Sequence, residues 1–455
     1  MSDTSDTNDE RAIRGIRRLA VKSLTRVEGE GALRVRVVDG RVEIAEFNIY
    51  EPPRFFEKLL VGREIREVPD MVARICGICP VAYQMSGCHA LEKALGIRTT
   101  PAIERMRRLL YCGEWIQSHA LHVHLLHAPD FLGFESGFTM AATHPALVEG
   151  GLRLKAVGSR LLETIGGRAV HPINVAVGGF HRAPSTAALQ GLLPDLRWGL
   201  NRCLELVAET ARFEFPDFQS PAECVALRMA DEYPMNDGRI VSSGGLDIEP
   251  EEFPRHFSER QVPWSTALHA VMLPGETPYV VGPLARLNLC RDQLPPAARR
   301  AADDCGLAFP LTNPFTSIVA RCLEMVAAFE EAVAIVESLT ADLAPCRIAW
   351  EPRDGVGAHA TEAPRGLLWH RYEIGGDGLV KAATIVPPTS QNQARIEADL
   401  RAMLPPLLAG DDAAATTACE RLIRSYDPCI SCATHFLRVE IDRRVGLDSE
   451  AAPQA

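Results

Sequence analysis

Alternating apolar and charged residues predict a β-hairpin near the start of the chain. The runs 32–37 and 42–47 alternate in this way, and Asp39-Gly40 lies between them. Successive side chains of a strand point to opposite faces, so the pattern indicates two strands with one buried face and a tight turn. A second hairpin is predicted for 367–374 and 379–386 around the turn-forming cluster 375–378, with Arg365 and Thr384 at the same end of the ribbon.

Most of the chain after Ala102 has helical spacing instead. The strongest signal is an apolar stripe that runs from Ile318 through Phe329 to Val336, about five turns long. Further helices are predicted for 186–212 and 393–408, interrupted at Pro194 and at Pro405-Pro406. We therefore expect an α+β, mainly helical fold: one large domain over 14–435 with small β-hairpins, after a disordered tail at 1–13.

Charge and hydropathy exclude two classes of protein. The 455 residues carry a formal net charge of −11 without a dense basic patch, which argues against nucleic-acid binding. No run of about eighteen apolar residues suggests a transmembrane helix, and the polar N-terminus does not resemble a secretory signal. Nine of the thirteen cysteines are scattered singly, which favours buried thiols in a reducing cytoplasm.

The other four cysteines form two Cys-x-x-Cys pairs, Cys76/Cys79 and Cys429/Cys432, about 350 positions apart. We expect them to meet in the folded chain as a buried metal centre. Three interpretations are open from the spacing alone: a tetrahedral structural zinc site, a redox-active pair, or a cluster or transition-metal centre.

Four thiolates need compensating positive charge, and Arg74 and Arg365 are the candidates. Asp427-Pro428, just before the second pair, predicts a helix start with Asp427 as the N-cap.

These pairs and several internal motifs resemble the large, catalytic subunit of nickel–iron hydrogenases. The resemblance covers most of the chain and is carried by the following segments: Arg26-Val-Glu-Gly29, residues 54–63, Arg74-Ile-Cys-Gly-Ile-Cys79, residues 167–172, Gly282-Pro-Leu-Ala-Arg286, Glu362-Ala-Pro-Arg-Gly366, Val386-Pro-Pro-Thr389 and Asp427-Pro-Cys-Ile-Ser-Cys-Ala-Thr-His435. It implies heterolytic, reversible cleavage of H2.

The resemblance also implies the metal ligands. Nickel would be held by Cys76, Cys79, Cys429 and Cys432. Cys79 and Cys432 would in addition bridge to an iron that carries carbonyl and cyanide ligands. Soft thiolates suit both metals.

Proton transfer would begin beside the nickel. The resemblance makes the terminal thiolate Cys429 or the guanidinium of Arg365 the first base, with a purely electrostatic role for Arg365 equally open. Glu28 resembles the glutamate that takes the proton onward. Asp427 would hold Arg365 or cap the helix.

Near the C-terminus, the family binds magnesium or a similar ion. The ligands here would be Glu57, the backbone carbonyl of Thr384 and His435. Residues 436–455 resemble an extension that a maturation protease removes after the histidine; the alternative is a permanent tail.

A dense histidine run occupies a predicted helix: His119, His122, His124 and His127. They do not lie on one helix face, which favours hydrogen-bonded core or interface histidines over a proton or subunit-contact role.

No iron–sulfur, dinucleotide or flavin motif remains, so electrons must leave through partners. The resemblance implies an iron–sulfur small subunit. Tyr83, Glu30, Pro388 and Ser118 differ from the residues of many membrane-bound members. The compact length, the missing hydrophobic anchor and the stretch 80–85 resemble the cytoplasmic, NAD(P)-linked class, whose partners contain flavin and some of which also reduce sulfur. Alternatives are a deazaflavin-reducing hydrogenase and an H2-sensing regulatory subunit. The retained cysteines argue against the nickel-free subunit of quinone-reductase complexes.

Overall fold

The computed structural model describes residues 16–434, which fold into sixteen α-helices and fourteen β-strands. The predicted N-terminal tail, His435 and the 436–455 extension lie outside this range. The helices are α1 (Phe56–Leu60), α2 (Val68–Ala73), α3 (Pro80–Leu95), α4 (Pro101–Leu121), α5 (Ala128–Leu132), α6 (Gly137–Ala141), α7 (Pro145–Gly166), α8 (Thr186–Gln190), α9 (Leu193–Thr210), α10 (Phe253–His256), α11 (Pro283–Cys290), α12 (Pro296–Asp304), α13 (Ser317–Ser338), α14 (Pro388–Leu407), α15 (Asp412–Ser425) and α16 (Ile430–Ala433).

The strands form five small sheets around this helical body. Their bounds are β1 (Ile16–Val21), β2 (Gly31–Val38), β3 (Arg41–Ile49), β4 (Val175–Ala176), β5 (Gly179–Phe180), β6 (Glu223–Arg228), β7 (Arg239–Ser242), β8 (Asp247–Ile248), β9 (Phe257–Val262), β10 (Ser265–Met272), β11 (Tyr279–Val280), β12 (Gly355–Ala363), β13 (Gly366–Ile374) and β14 (Val380–Val386). The sheet orders are β1-β2-β3, β4-β5, β9-β10, β11-β6-β7-β8 and β12-β13-β14. The mainly helical α+β prediction is confirmed. Within the described range, no helix is both long and apolar enough to cross a membrane.

Both predicted hairpins are confirmed, each as part of a three-stranded sheet. β2 pairs antiparallel with β3, and β1 adds a strand on the other side of β2. β13 pairs with β14, but Thr384 lies opposite Arg371, several residues along the strand from Arg365. The two are therefore not neighbours at the ribbon end. β12 shows no alternation because nearly all of its residues are buried, which is why the pattern did not reveal it.

The helical predictions were right about position and wrong about one detail, the end of α14. Pro194 lies in the first turn of α9, so it separates α8 from α9 as expected. α14 instead continues through Pro405 and Pro406, which lie in its last turn, and it ends at Leu407, directly after these two residues that have no N–H to donate. The apolar stripe belongs to α13, which is buried on all sides between Ser317 and Phe329.

α3, which begins immediately after Cys79, packs directly on β12. A Cβ at Gly357 would lie 2.1 Å from the carbonyl oxygen of Ala90 and 2.6 Å from the backbone nitrogen of Ala94. A Cβ at Gly355 would lie 2.3 Å from the Ala94 carbonyl oxygen. These two glycines let the backbones touch and thereby fix the helix that follows the first cysteine pair.

We predict that Gly357→Ala lowers the free energy of unfolding by about 2 kcal/mol, because the methyl group must push α3 away from β12. Urea unfolding of the purified protein measures this change. Gly410→Ala is the matched control, since its nearest contact would be an ordinary 3.5 Å to the carbonyl oxygen of Leu407. Equal unfolding midpoints for the two variants would contradict the close packing.

Candidate metal centre

The four motif cysteines meet in one buried cluster, as predicted. The Sγ atoms of Cys76 and Cys429 are 3.3 Å apart, and those of Cys79 and Cys432 are 3.5 Å apart. The Sγ atoms of Cys429 and Cys432 are 2.9 Å apart. All four sulfurs lie within 4.8 Å of one another, and no member of the cluster is more than 2% exposed.

Backbone contacts position each pair. Cys76 lies in the loop between α2 and α3, where the N–H groups of Ile78 and Cys79 donate to its sulfur at 3.2 and 3.3 Å. The N–H of Cys429 donates to the hydroxyl of Thr389 at 3.0 Å. Hydrogen bonds to sulfur stabilise a thiolate, so these two N–H groups favour negative charge on Cys76.

Arg54 ties the two cysteine-bearing segments together. Its Nη2 donates to the carbonyl of Ile75 at 2.6 Å and also to the carbonyl of Ser431. Its backbone N–H donates to the carbonyl of Thr434 at 2.6 Å. One guanidinium thus joins segments from opposite ends of the chain. In the sequence alone, Arg54 is recognisable only as the start of the 54–63 motif.

The pKa values of two cluster thiols shift in opposite directions. Hydrogen bonds from Cys429, Cys432 and Cys79 lower the pKa of Cys76 well below its usual range. Burial raises the pKa of Cys429 well above it.

Arg365 supplies positive charge beside the sulfurs. Its Nε donates to the carbonyl oxygen of Asp427 at 2.8 Å, and its Nη2 donates to the carboxylate at 3.0 Å. Burial opposes the charged form, but Asp427 and the cluster thiols raise the pKa of Arg365 well above its usual range. Of the two functions considered for Asp427, the structure shows that it holds Arg365.

Two expectations around the cluster were wrong. Asp427 is not an N-cap: it has left-handed backbone geometry (φ 53°), and α16 begins only after Cys429. The side chain of Asp427 turns instead to the buried arginine. Arg74 is exposed and pairs with Asp70 at 2.9 Å, so it does not compensate the thiolates. Adjacency in sequence did not place its side chain at the site.

A second buried arginine approaches Asp427 from α13. The Nε of Arg321 is 3.9 Å from the Asp427 carboxylate, and its Nη1 donates to the carbonyls of Ser317 and Ser425 at 3.2 Å. Burial lowers the pKa of Arg321 to about 10, and the nearby Arg365 adds to the effect. Asp427 therefore lies between two buried arginines.

Arg286 holds the segment 362–364, which precedes Arg365, through several hydrogen bonds. Arg286 donates to both carboxylate oxygens of Glu324 at 2.6 and 2.7 Å and to Glu362 at 2.8 Å. It also donates to the carbonyls of Ala363 and Pro364 at 2.9 and 3.1 Å. All three charged side chains are fully buried. These hydrogen bonds fix the backbone directly before Arg365.

Glu114 is a site residue that sequence analysis missed. It lies fully buried on α4, and its carboxylate accepts the N–H groups of Val81 and Ala82 at 2.6 and 3.0 Å. These belong to the first turn of the helix that follows Cys79, so Glu114 holds that turn in place. Burial raises its pKa well above the usual range. A single carboxylate in the otherwise uncharged stretch 109–121 was the available signal.

Glu28 reaches the cluster from the N-terminal segment. Its carboxylate is 3.2 Å from the sulfur of Cys429 and accepts the N–H of Ser431 at 3.0 Å. The hydroxyl of Ser431 donates to Glu28 and, at 3.1 Å, to Glu51. The carbonyl of Glu28 accepts the N–H of Ile430 at 3.0 Å. The predicted proton acceptor is thus in contact with the predicted terminal thiolate.

The residues expected to bind a hard cation lie close to one another as far as the chain is described. The carboxylate of Glu57 accepts the N–H of Ile385, the residue after Thr384, at 2.7 Å. The carbonyl oxygen of Thr434, the last described residue, accepts the backbone N–H of Arg54, three residues before Glu57, at 2.6 Å. His435 lies outside the described residues.

The four clustered histidines are buried, and His122–His127 forms a π-helical turn that the sequence did not indicate. His119 is 2.9 Å from Glu324, and His122 is 2.9 Å from the carbonyl of Arg424. His127 has no hydrogen-bond partner and packs on the Phe131 ring, 4.9 Å between centroids. The expectation of core histidines is confirmed, with His127 held by packing alone.

The donor set fits a soft transition-metal centre. Four sulfurs converge, a buried guanidinium offsets their charge, and water is excluded. The other nine cysteines are single: seven are buried and Cys305 and Cys346 are half-buried. Within residues 16–434 none of these nine belongs to a second ligand cluster.

Burial raises the pKa of Glu362 to about 7, although Arg286 opposes the shift. An unfolded glutamate ionises near pH 4.3, so between about pH 4.5 and 7 the unfolded chain releases this proton and the folded chain keeps it. The residue's contribution therefore lowers the free energy of unfolding as pH rises, by at most about 1.4 kcal/mol per pH unit. We predict that Glu362→Gln removes this slope in denaturation curves from pH 5 to 7. The exposed Glu373→Gln is the control; an unchanged slope in Glu362→Gln would refute the assignment.

Comparison with known proteins agrees with this geometry. The family profile described as nickel-dependent hydrogenase matches residues 54–148 and 275–435. The sulfhydrogenase 1 and 2 alpha subunits of Pyrococcus furiosus are 31% and 33% identical over 92% of this chain, covering 98% and 100% of those subunits. The crystal structure of an NAD+-reducing [NiFe]-hydrogenase in the H2-reduced state superposes with a TM-score of 0.79, at 29% identity over 92% of this chain and 99% of that one. The chain belongs to the nickel-dependent hydrogenase family, as a catalytic subunit with the nickel–iron centre that this family implies.

Proposed function

We propose that this catalytic subunit cleaves H2 reversibly and passes the electrons through an iron–sulfur small subunit to NAD(P). The observation that carries the catalytic part is the contact between the carboxylate of Glu28 and the sulfur of Cys429, inside a buried four-thiol cluster. A closed structural zinc site would have no need of an acid–base group on one of its ligands.

The four cysteines would bind two metals. Cys76, Cys79, Cys429 and Cys432 would hold nickel, and Cys79 and Cys432 would also bridge to the iron with its carbonyl and cyanide ligands. When bound, the centre supplies the acceptor for the electron pair of hydrogen. Everything else in the reaction falls to the side chains around it.

Cys429 is better suited than Arg365 to take the first proton. The guanidinium donates to Asp427 through two nitrogens and stays protonated, so its contribution is fixed positive charge. The sulfur of Cys429 is within hydrogen-bond reach of the Glu28 carboxylate, which can accept the proton and turn it toward Ser431. Glu28 therefore links the buried thiolate to the half-buried side of the site.

A magnesium-type ion would bind beside the C-terminal segment through Glu57, the carbonyl of Thr384 and His435. Carboxylate and carbonyl oxygens suit this ion. The 2.7 Å contact of Glu57 with Ile385 supports the proximity of the first two. Removal of 436–455 by a maturation protease is part of the same proposal, because it would make His435 the chain terminus.

The NAD(P) linkage rests on similarity. The NAD+-reducing [NiFe]-hydrogenase aligns over 92% of this chain, and the pyrococcal sulfhydrogenase subunits align as fully. By analogy, flavin- and NAD(P)-reacting subunits would complete a cytoplasmic complex. Among the described residues, no second metal-thiolate cluster offers electrons a way out through this chain.

Glu28→Gln is expected to lower H2 oxidation by roughly 100-fold or more, since the amide cannot accept the proton from Cys429. Nickel and iron content should stay at the level of the parent enzyme, because Glu28 is not a proposed ligand. Dye reduction under H2, together with metal analysis, measures both. Glu30→Gln, an exposed change two positions away, should retain activity; full activity in Glu28→Gln would exclude the proposed relay.

The acceptor is tested on the complex purified with its native partners. About one nickel per chain, carbonyl and cyanide infrared bands, and H2-dependent reduction of NAD+ or NADP+ are expected. Hydrogenase activity with artificial dyes but with neither nucleotide would remove the NAD(P) part and leave the catalytic part standing. Zinc in place of nickel, in chains that end at His435, would overturn both.

A further inference from the structure

A second group of ligand atoms lies at the far end of α3 from the cysteine cluster. An open cavity of about 660 Å³ is found there between α3, the start of α4, β12 and the loop after β6. His89, Glu92 and His359 line it, together with Glu104 from α4. The side chains belong to three separate elements, so the cavity is formed by the fold and not by one helix.

Three of these side chains converge on one point. A ring nitrogen of His89 and a carboxylate oxygen from each of Glu92 and Glu104 lie within 4.8 Å of one another. The Nε2 of His89 is buried without a hydrogen-bond partner and is 3.5 Å from Oε2 of Glu104. A buried imidazole nitrogen with no partner is costly unless something binds it.

Both oxygens of Glu92 accept hydrogen bonds from another side chain, whereas only one oxygen of Glu104 does. Both oxygens of Glu92 accept hydrogen bonds from Arg107, at 2.5 and 2.9 Å. Oε1 of Glu104 accepts from Thr99 and, at 3.2 Å, from Arg107. Oε2 of Glu104 is left facing His89. The geometry thus offers one imidazole nitrogen and one carboxylate oxygen for direct bonding, beside the Glu92–Arg107 ion pair.

A second buried histidine, His359, lines the same cavity. His359 is 1% exposed, and its ring stacks on that of His89 with 4.6 Å between centroids. Its Nε2 bonds the carbonyl of Asn236 at 2.7 Å, while its Nδ1 is buried with no partner. Burial lowers the pKa of His89 to about 4 and that of His359 to about 3, so both rings keep a free electron pair at neutral pH.

We propose that this cavity binds a divalent cation of the zinc type, through Nε2 of His89 and Oε2 of Glu104, with water in the remaining positions. Imidazole nitrogen and carboxylate oxygen are the ligands that such ions prefer. The cation would join α3 to α4 about 15 Å along α3 from the cysteine cluster, given a rise of about 1.5 Å per residue. It is separate from the nickel–iron centre and from the magnesium-type site.

Cobalt(II) and zinc(II) test the site on the full-length protein in its purified complex. Cobalt bound by imidazole and carboxylate gives weak visible bands, whereas cobalt on thiolates absorbs intensely in the near ultraviolet, so the two sites are distinguishable. We expect the parent protein to bind cobalt with thiolate-free bands, and zinc to raise its melting temperature.

His89→Ala and Glu104→Gln should each weaken thiolate-free cobalt binding at least tenfold and abolish the zinc-induced rise. His144→Ala, which removes an exposed histidine, is the control and should change neither. Glu104→Gln preserves side-chain shape, so it decides the matter if His89→Ala unfolds. Parent-like cobalt affinity in Glu104→Gln, or thiolate bands alone in the parent protein, would overturn the proposal.

Discussion

The structure depends on burying four sulfur atoms without burying an unbalanced charge. A thiolate cluster that is at most 2% exposed cannot rely on water to stabilise its negative charge. Arg365 provides the compensating cation, and Asp427 holds that cation through both its carbonyl and its carboxylate. A lysine in place of Arg365 would keep the charge but lose the planar fork that makes both contacts. The choice of arginine is therefore a geometric requirement of the site.

This first ion pair imposes a second layer of buried charge. Arg286 fixes the backbone that carries Arg365. Glu324 balances the charge of Arg286, and Glu362 accepts a further hydrogen bond from it. Removing one member of a buried pair typically costs about 3–5 kcal/mol, because the other member is left uncompensated. Apolar residues could fill the same volume. These buried ion pairs instead fix the orientation of the backbone that carries Arg365.

The sequence predicted what depends on local periodicity or on rigid spacing, and it missed what depends on long-range approach. The alternation of β2 and β3 was visible because one face of that hairpin is less buried than the other, whereas β12 is buried on both faces. The cysteine pairs were recognisable because two ligands three positions apart leave a local motif. Arg54 and Glu114 left almost none, since each bonds backbone groups that only the folded chain brings near. Arg74 misled for the same reason: its neighbours in sequence are not its neighbours in space.

The four-cysteine cluster forms only when both ends of the chain have folded together. Glu28, at the N-terminal end, forms a parallel bridge with Cys429, and Arg54 joins the loop before Cys79 to the last described turn. Neither half of the chain holds more than two of the sulfurs, so the four-sulfur set does not exist before both ends meet. Because ligands assembled only by the fold link metal binding to folding stability, occupancy of the centre stabilises the same long-range contacts that create it. Glu28, the proposed proton acceptor, is placed by these same contacts, so in the proposed mechanism metal binding and acid–base chemistry depend on the same folded arrangement.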